Sequence, residues 1–189
     1  MVVPEMNLES PFSSNLIMSV ASEERVRVRR SATASAPRVS YGQSSSLKLR
    51  LKGSGANFLQ VSADGNSLTV GTQQNSETVC FTLHNFIPTT PYPEGNGVMV
   101  LESPLGGKFI QGANSGSVSL VQGSSSDLSS VHAVDERFFL LFMVPGEMYT
   151  KVKHIQSGLL LASTGSGISL VAADSDSDSV LYQMTPCNS

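Results

Sequence analysis

The chain reads as an all-β protein, a β-trefoil of twelve strands in three pseudo-repeats behind a mostly disordered N-terminal leader. Three observations lead there. One phrase, an apolar strand, a tight turn of Gly, Asn, Ser and Asp, and a second apolar strand, is written three times. Leu59, Ile110 and Leu160 stand 51 and 50 positions apart, and Leu68, Val118 and Ile168 stand 50 and 50 apart. Independent hairpins do not keep such a period, whereas repeat architectures do. Finally, apolar residues alternate with polar ones in steps of two, and no stretch carries a 3.6-residue apolar stripe.

The phrase itself runs from Phe58-Leu59-Gln60-Val61 to Leu68-Thr69-Val70, from Phe109-Ile110-Gln111 to Val118-Ser119-Leu120, and from Leu159-Leu160-Leu161-Ala162 to Ile168-Ser169-Leu170. A strand is expected before each copy, at Leu47 to Lys52, Val98 to Leu101 and Met148 to Lys153. Another is expected after each, at Val79 to Leu83, Arg137 to Phe142 and Val180 to Met184. Leu47, Leu49 and Leu51 alternate with Lys48, Arg50 and Lys52, the period of a strand with one wet face. Three like units of four strands favour closure on a common axis, because closure leaves no long unpaired edge. An irregular sandwich or barrel is the alternative.

Residues 46–189 are assigned to the trefoil, and a domain of that size buries roughly 68 to 70% of its unfolded surface, enough for one core. Residues 1–45 are assigned to a leader or propeptide. They are rich in Ser, Ala, Glu and Arg, and their one apolar run, Asn15 to Val20, is too short to span a bilayer, so no membrane insertion is expected. A secretory signal wants a basic start and a longer apolar centre, whereas this leader opens with Glu5 and Glu9. Synthesis in the cytosol is therefore expected, and two cysteines fit that compartment, Cys80 as a small buried apolar group and Cys187 in the tail, although their separation in sequence does not exclude a disulfide.

With 12 basic and 15 acidic residues the net charge is −3, and no basic stripe interleaved with aromatics appears, so nucleic acid is not an expected partner. Lys48, Arg50 and Lys52 read as a solvated strand face. No cofactor, metal or catalytic residue is expected. His84, His132 and His154 stand in no zinc or nucleophile-base spacing and read as surface or strand histidines. Gly106-Gly107-Lys108 lacks the Walker spacing and runs into a strand, which makes it a turn. Asp174, Asp176 and Asp178 open like a calcium loop but lack its Gly and Glu, and read as a solvated connection. Arg27, Arg29 and Arg30, inside Arg25 to Ser31, resemble the Arg-x-Arg-Arg pattern of furin-like convertases, with a basic patch or a solvated run as the other readings. Leu68 to Phe81 and Ile168 to Leu181 are both 13 positions, whereas Val118 to Phe138 is 20, so the middle copy carries an inserted loop.

Between Val79 and Met184 the chain resembles the interleukin-1 cytokine family, in particular its interleukin-1β-like members from non-mammalian vertebrates. The resemblance is carried by Val79-Cys80-Phe81-Thr82-Leu83, the Pro-rich loop Pro88 to Asn96, Gly97-Val98-Met99-Val100-Leu101 and Gly107-Lys108-Phe109-Ile110-Gln111. It continues in Ser117 to Leu120, Glu136 to Phe142 and Ser157 to Thr164. It departs from many members in having no Trp, and no Asp precedes Asp64, so a caspase-type cut in the leader has no substrate residue.

The resemblance implies a monomer that is not an enzyme, made as a cytosolic precursor and exported without a signal peptide after a protease removes the leader, with Arg27, Arg29 and Arg30 as the processing site. It implies an interleukin-1-type cell-surface receptor of immunoglobulin domains and an accessory chain as partners. Contacts are expected from Pro91, Tyr92, Glu94 and Asn96 in one loop and from Asp127 and Glu136 in the inserted loop. Tyr92 serves either as an anchor or as a lid over the barrel end. The rival from another class is an intracellular fascin-like actin-binding trefoil, which the Gly107 to Ile110 and Gly158 to Leu160 phrases also suit.

Overall fold

Apolar side chains two apart in sequence, broken by glycine turns, give twelve strands in the computed structural model, which describes residues 37–187 except 54, 56, 73, 74, 96, 166 and 173–176. In chain order they are β1 (Val39–Leu51), β2 (Phe58–Val61), β3 (Leu68–Gly71), β4 (Phe81–Pro88), β5 (Gly97–Glu102), β6 (Lys108–Gly112), β7 (Val118–Gln122), β8 (Phe138–Met143), β9 (Thr150–His154), β10 (Leu160–Thr164), β11 (Gly167–Val171) and β12 (Tyr182–Pro186). All pairings are antiparallel. The ladder β1-β4-β5-β8-β9-β12 returns to β1 and closes a six-stranded barrel. The other six form hairpins β2-β3, β6-β7 and β10-β11.

The repeat seen in the sequence is visible in the register. Each hairpin joins the barrel through one equivalent pair: Arg50 opposite Phe58, Glu102 opposite Phe109, and Lys153 opposite Leu160. The main core gathers Leu49, Leu59, Phe81, Met99, Ile110, Phe139, Val152 and Leu161 from all three copies. Tyr182 is fully buried there, and its hydroxyl has no hydrogen-bond partner among the described residues. A second apolar cluster on the side of the barrel contains Val39, Phe86, Val98, Phe109, Leu128, Val134, Phe138 and Leu140.

Before β4, β8 and β12 stand short helical turns, Ser76–Val79, Ser125–Ser130 and Asp178–Val180; the first and last take in Val79 and Val180, which the sequence assigns to the following strands, and the middle one lies in the inserted loop. Each buries one aliphatic residue completely, Val79, Leu128 or Val180. Side-chain caps start the first two: Asn75 accepts from the Glu77 amide, and Ser124 from that of Ser126. At the β2-β3 turn Asp64 accepts from the Asn66 amide, and Gly65 takes φ +69°, where an L side chain is strained.

Two expectations need correction. The first barrel strand begins at Val39, so residues 39–45, assigned to the leader, belong to the barrel. Their Ser-rich composition hides this, because they are held by backbone pairing to β4, with only Val39 buried and Tyr41 packed edge-on to Phe86. The cysteines are joined, Cys80 to Cys187, with their Cα atoms 6.0 Å apart. Distance along the chain conceals what the register shows: Cys80 precedes Phe81, Cys187 follows Pro186, and both Phe81 and Pro186 lie opposite Leu47.

Candidate interaction surface

Two long connections dominate the surface predicted for recognition. The first joins β4 to β5. Pro91, Pro93 and Glu94 are exposed, while the half-buried Tyr92 ring packs on the second apolar cluster. Burial pushes the Tyr92 phenol above its usual pKa, and its hydroxyl has no partner among the described residues. Glu94 pairs with Lys153 of β9. A Cβ at Gly95 would lie 2.5 Å from Leu140 Cγ, so any larger residue there has to displace that side chain. Ile87, Pro88, Pro91, Tyr92, Gly95, Gly97 and Val98 line a shallow depression of about 400 Å³, and Ile87 is 64% exposed at its rim. Asn96 lies outside the described residues, as do Arg27, Arg29, Arg30, Asp174 and Asp176.

The second connection is the insertion between β7 and β8. Leu128 pins its helical turn to the same apolar cluster that holds Tyr92, leaving Asp127 exposed. Glu136 is also exposed; its carboxylate accepts from the Gln111 amide, and its carbonyl accepts from the Gly112 N–H at 3.0 Å. Arg137 binds Asp135 through Nε and Nη2, which raises the guanidinium pKa, and lies 5.6 Å from the Phe109 ring centre. With Gln111, Val121, Gln122 and Gln156 these three residues line an open depression of about 580 Å³.

Beneath it His154 is buried and donates from Nε2 to the Glu136 carbonyl at 3.1 Å, while Nδ1 accepts from Ser157. Burial holds its pKa below the ordinary value. The imidazole is therefore the neutral Nε2–H form, and it braces the foot of the insertion.

Reasoning from sequence missed the strut between the two connections. Arg38 accepts from the Thr89 amide at 2.9 Å, Val39 donates to the His132 carbonyl at 3.1 Å, and Val134 donates to the Pro37 carbonyl at 3.2 Å. The start of β1 thus ties the β4-β5 loop to the insertion. The only sequence signal was Val39, an isolated apolar residue in a polar run.

Elsewhere, His84 and Glu102 form a buried pair in which Nε2–H donates at 2.8 Å, with Tyr41 Oη 3.3 Å from Nδ1 and the Gly107 amide donating to the carboxylate. No three His, Cys, Asp or Glu side chains converge as metal ligands among the described residues. Lys48 and Lys52 are half-buried and Arg50 is exposed; Arg50 caps the Gly55 carbonyl and Lys52 pairs with Glu147 and Asp178.

The similar solved structures include Gallus interleukin-1 beta, in a point mutant, at 12% identity, covering 78% of this chain and 99% of that one with a TM-score of 0.60. The fold is a β-trefoil. The same architecture appears in SeviL bound to asialo-GM1 saccharide, at 11% identity, 77% and 100% coverage and TM-score 0.56. It also appears in the designed threefold protein ThreeFoil, at 19% identity, 75% and 99% coverage and TM-score 0.54. No family model and no curated protein sequence matches the chain.

Proposed function

We propose that this protein is an interleukin-1-type cytokine that binds an immunoglobulin-domain receptor at the cell surface and signals in inflammation and immunity once an accessory chain joins. The observation that carries this reading is the anchoring of two exposed connections on one apolar cluster, so that Pro91 and Glu94 from one and Asp127 and Glu136 from the other stand on a rigid support. A rigid scaffold that presents loops loses little conformational entropy on docking. The residue pattern from Val79 to Met184 and the trefoil fold support the family assignment. In this reading the mechanism is recognition without bond chemistry. A protease releases the leader near Arg27, Arg29 and Arg30, and the mature monomer leaves the cell by a route that needs no signal peptide.

The test is binding of the fragment from Ser31 to Ser189 to immobilised interleukin-1-type receptor ectodomains, with a reporter line for signalling. Pro91→Ala with Glu94→Ala, and Asp127→Ala with Glu136→Ala, should each weaken capture by about tenfold or more, the size of a modest hot spot. No capture, together with co-sedimentation on actin filaments, would transfer the assignment to the fascin-like alternative.

A further inference from the structure

The barrel has one weak joint. Neighbouring barrel strands elsewhere share a run of paired residues, but β12 meets β9 at a single pair, Tyr182 opposite Thr150. On its other side β12 runs along β1 from Tyr182 opposite Leu51 to Pro186 opposite Leu47. Beside the joint the barrel mouth opens into an apolar cavity of about 310 Å³ lined by Asn85, Gly97, Leu141, Met143, Thr150 and Met184. Met143 is 62% exposed on its rim. Just past the end of β12, Cys187 donates its amide to the Ser46 carbonyl and is bonded to Cys80 at the head of β4. The disulfide therefore links the two strands that flank β1. Both cysteines are only half-buried, within reach of a reductant.

We propose that the Cys80–Cys187 disulfide is a redox-operated clasp that straps the end of β12 to β4 across β1, shut when oxidised and released by dithiol reduction, whereupon β12 loosens from β9 at their single pair and opens the apolar mouth. The exchange is balanced. One thiolate of a dithiol reductant attacks a sulfur of the bridge, forms a mixed disulfide and expels the other cysteine as a thiolate, which takes up a proton. The second reductant thiolate resolves the mixed disulfide. Cys80 and Cys187 end as thiols, and the reductant ends as the disulfide. With the strap gone, β12 keeps its pairing to β1 but has only the Tyr182 pair on the side of β9, so local opening costs less than unfolding the barrel. The clasp holds whether or not receptor binding is found.

The experiment is amide hydrogen exchange by mass spectrometry on the full chain, oxidised and after reduction by dithiothreitol, with dye binding by anilinonaphthalene sulfonate in parallel. Reduction should speed exchange in residues 182–187 by about tenfold or more, corresponding to about 1.4 kcal/mol of easier opening. The β6-β7 hairpin should be unchanged, and dye fluorescence should rise. Cys187→Ser should reproduce the reduced pattern without reductant. If that variant fails to fold, reduction of the unmodified chain remains the decisive measurement. Equal exchange of β12 in both states, a uniform rise across the barrel, or free thiols in the oxidised protein would each overturn the proposal.

Discussion

Cutting the chain at two places separates the strut from the rest of the leader. A fragment that starts at Ser31, as a cut after Arg30 would produce, keeps Pro37, Arg38 and Val39; a fragment that starts at Tyr41 loses them. The loss removes three backbone hydrogen bonds, to Thr89, His132 and Val134, together with the pairing of Val39 and Ser40 to Pro88 and Ile87 of β4. At about 1 kcal/mol net each these are worth about 3 kcal/mol. Burial of Val39, which is 4% exposed, adds roughly 2 kcal/mol. Against this, the shorter chain no longer fixes four backbone residues, 37 to 40, which costs about 1 to 2 kcal/mol apiece. The terms nearly cancel, so the urea midpoint of the two fragments should differ little. The effect should instead appear where the strut acts, as faster amide exchange in residues 123–137 and around Thr89 in the shorter fragment, and as weaker receptor capture. Matching exchange in those loops, with or without residues 31–40, would refute the strut.

Three further outcomes follow from the geometry. His154 is kept neutral by burial, so between its lowered native pKa and the ordinary 6.5 the unfolded chain binds more protons than the folded one. Stability should therefore fall as pH drops below about 6.5 and stay flat above, and His154→Gln should remove that slope in urea titrations from pH 5 to 8. Tyr182→Phe deletes a buried hydroxyl without a partner among the described residues and should leave stability unchanged or raise it by about 1 kcal/mol in thermal melts. Gly95→Ala drives a methyl into Leu140 and should cost about 1 to 3 kcal/mol, with chemical-shift changes in the β4-β5 loop.

The barrel and hairpins were legible because burial alternates with period two wherever a strand has one wet face, and because the copies repeat that alternation in step. Phe58–Val61 matches the predicted first strand of its copy at both ends, and the other phrase strands shift by a residue or two. The helical turns were hidden, since Ser76–Val79 carries a single apolar residue, Val79, which reads as the start of the strand that follows. So was the beginning of β1, whose exposed serines contribute only backbone groups. The disulfide could not be read because sequence separation carries no information on which strands share a neighbour. Of the predicted contact residues, Pro91, Glu94, Asp127 and Glu136 are exposed, while Tyr92 is seated against the barrel. Loop exposure follows from composition, but the seating of one ring depends on distant residues such as Leu128.

The three buried aliphatics in the helical turns have a consequence for how such a chain can change over generations. Each acts as a peg at a matching place in its copy, 11, 10 and 12 positions after Leu68, Val118 and Ile168, whatever length of chain follows it. In the middle copy the added chain follows the peg, since Leu128 stands 10 positions before Phe138 whereas Val79 stands 2 before Phe81 and Val180 stands 2 before Tyr182, yet Leu128 is buried as completely as the other two. Chain can therefore be added behind any of the three pegs without renegotiating the interior, and the molecule has three interchangeable places for a longer surface loop, of which the middle one carries it.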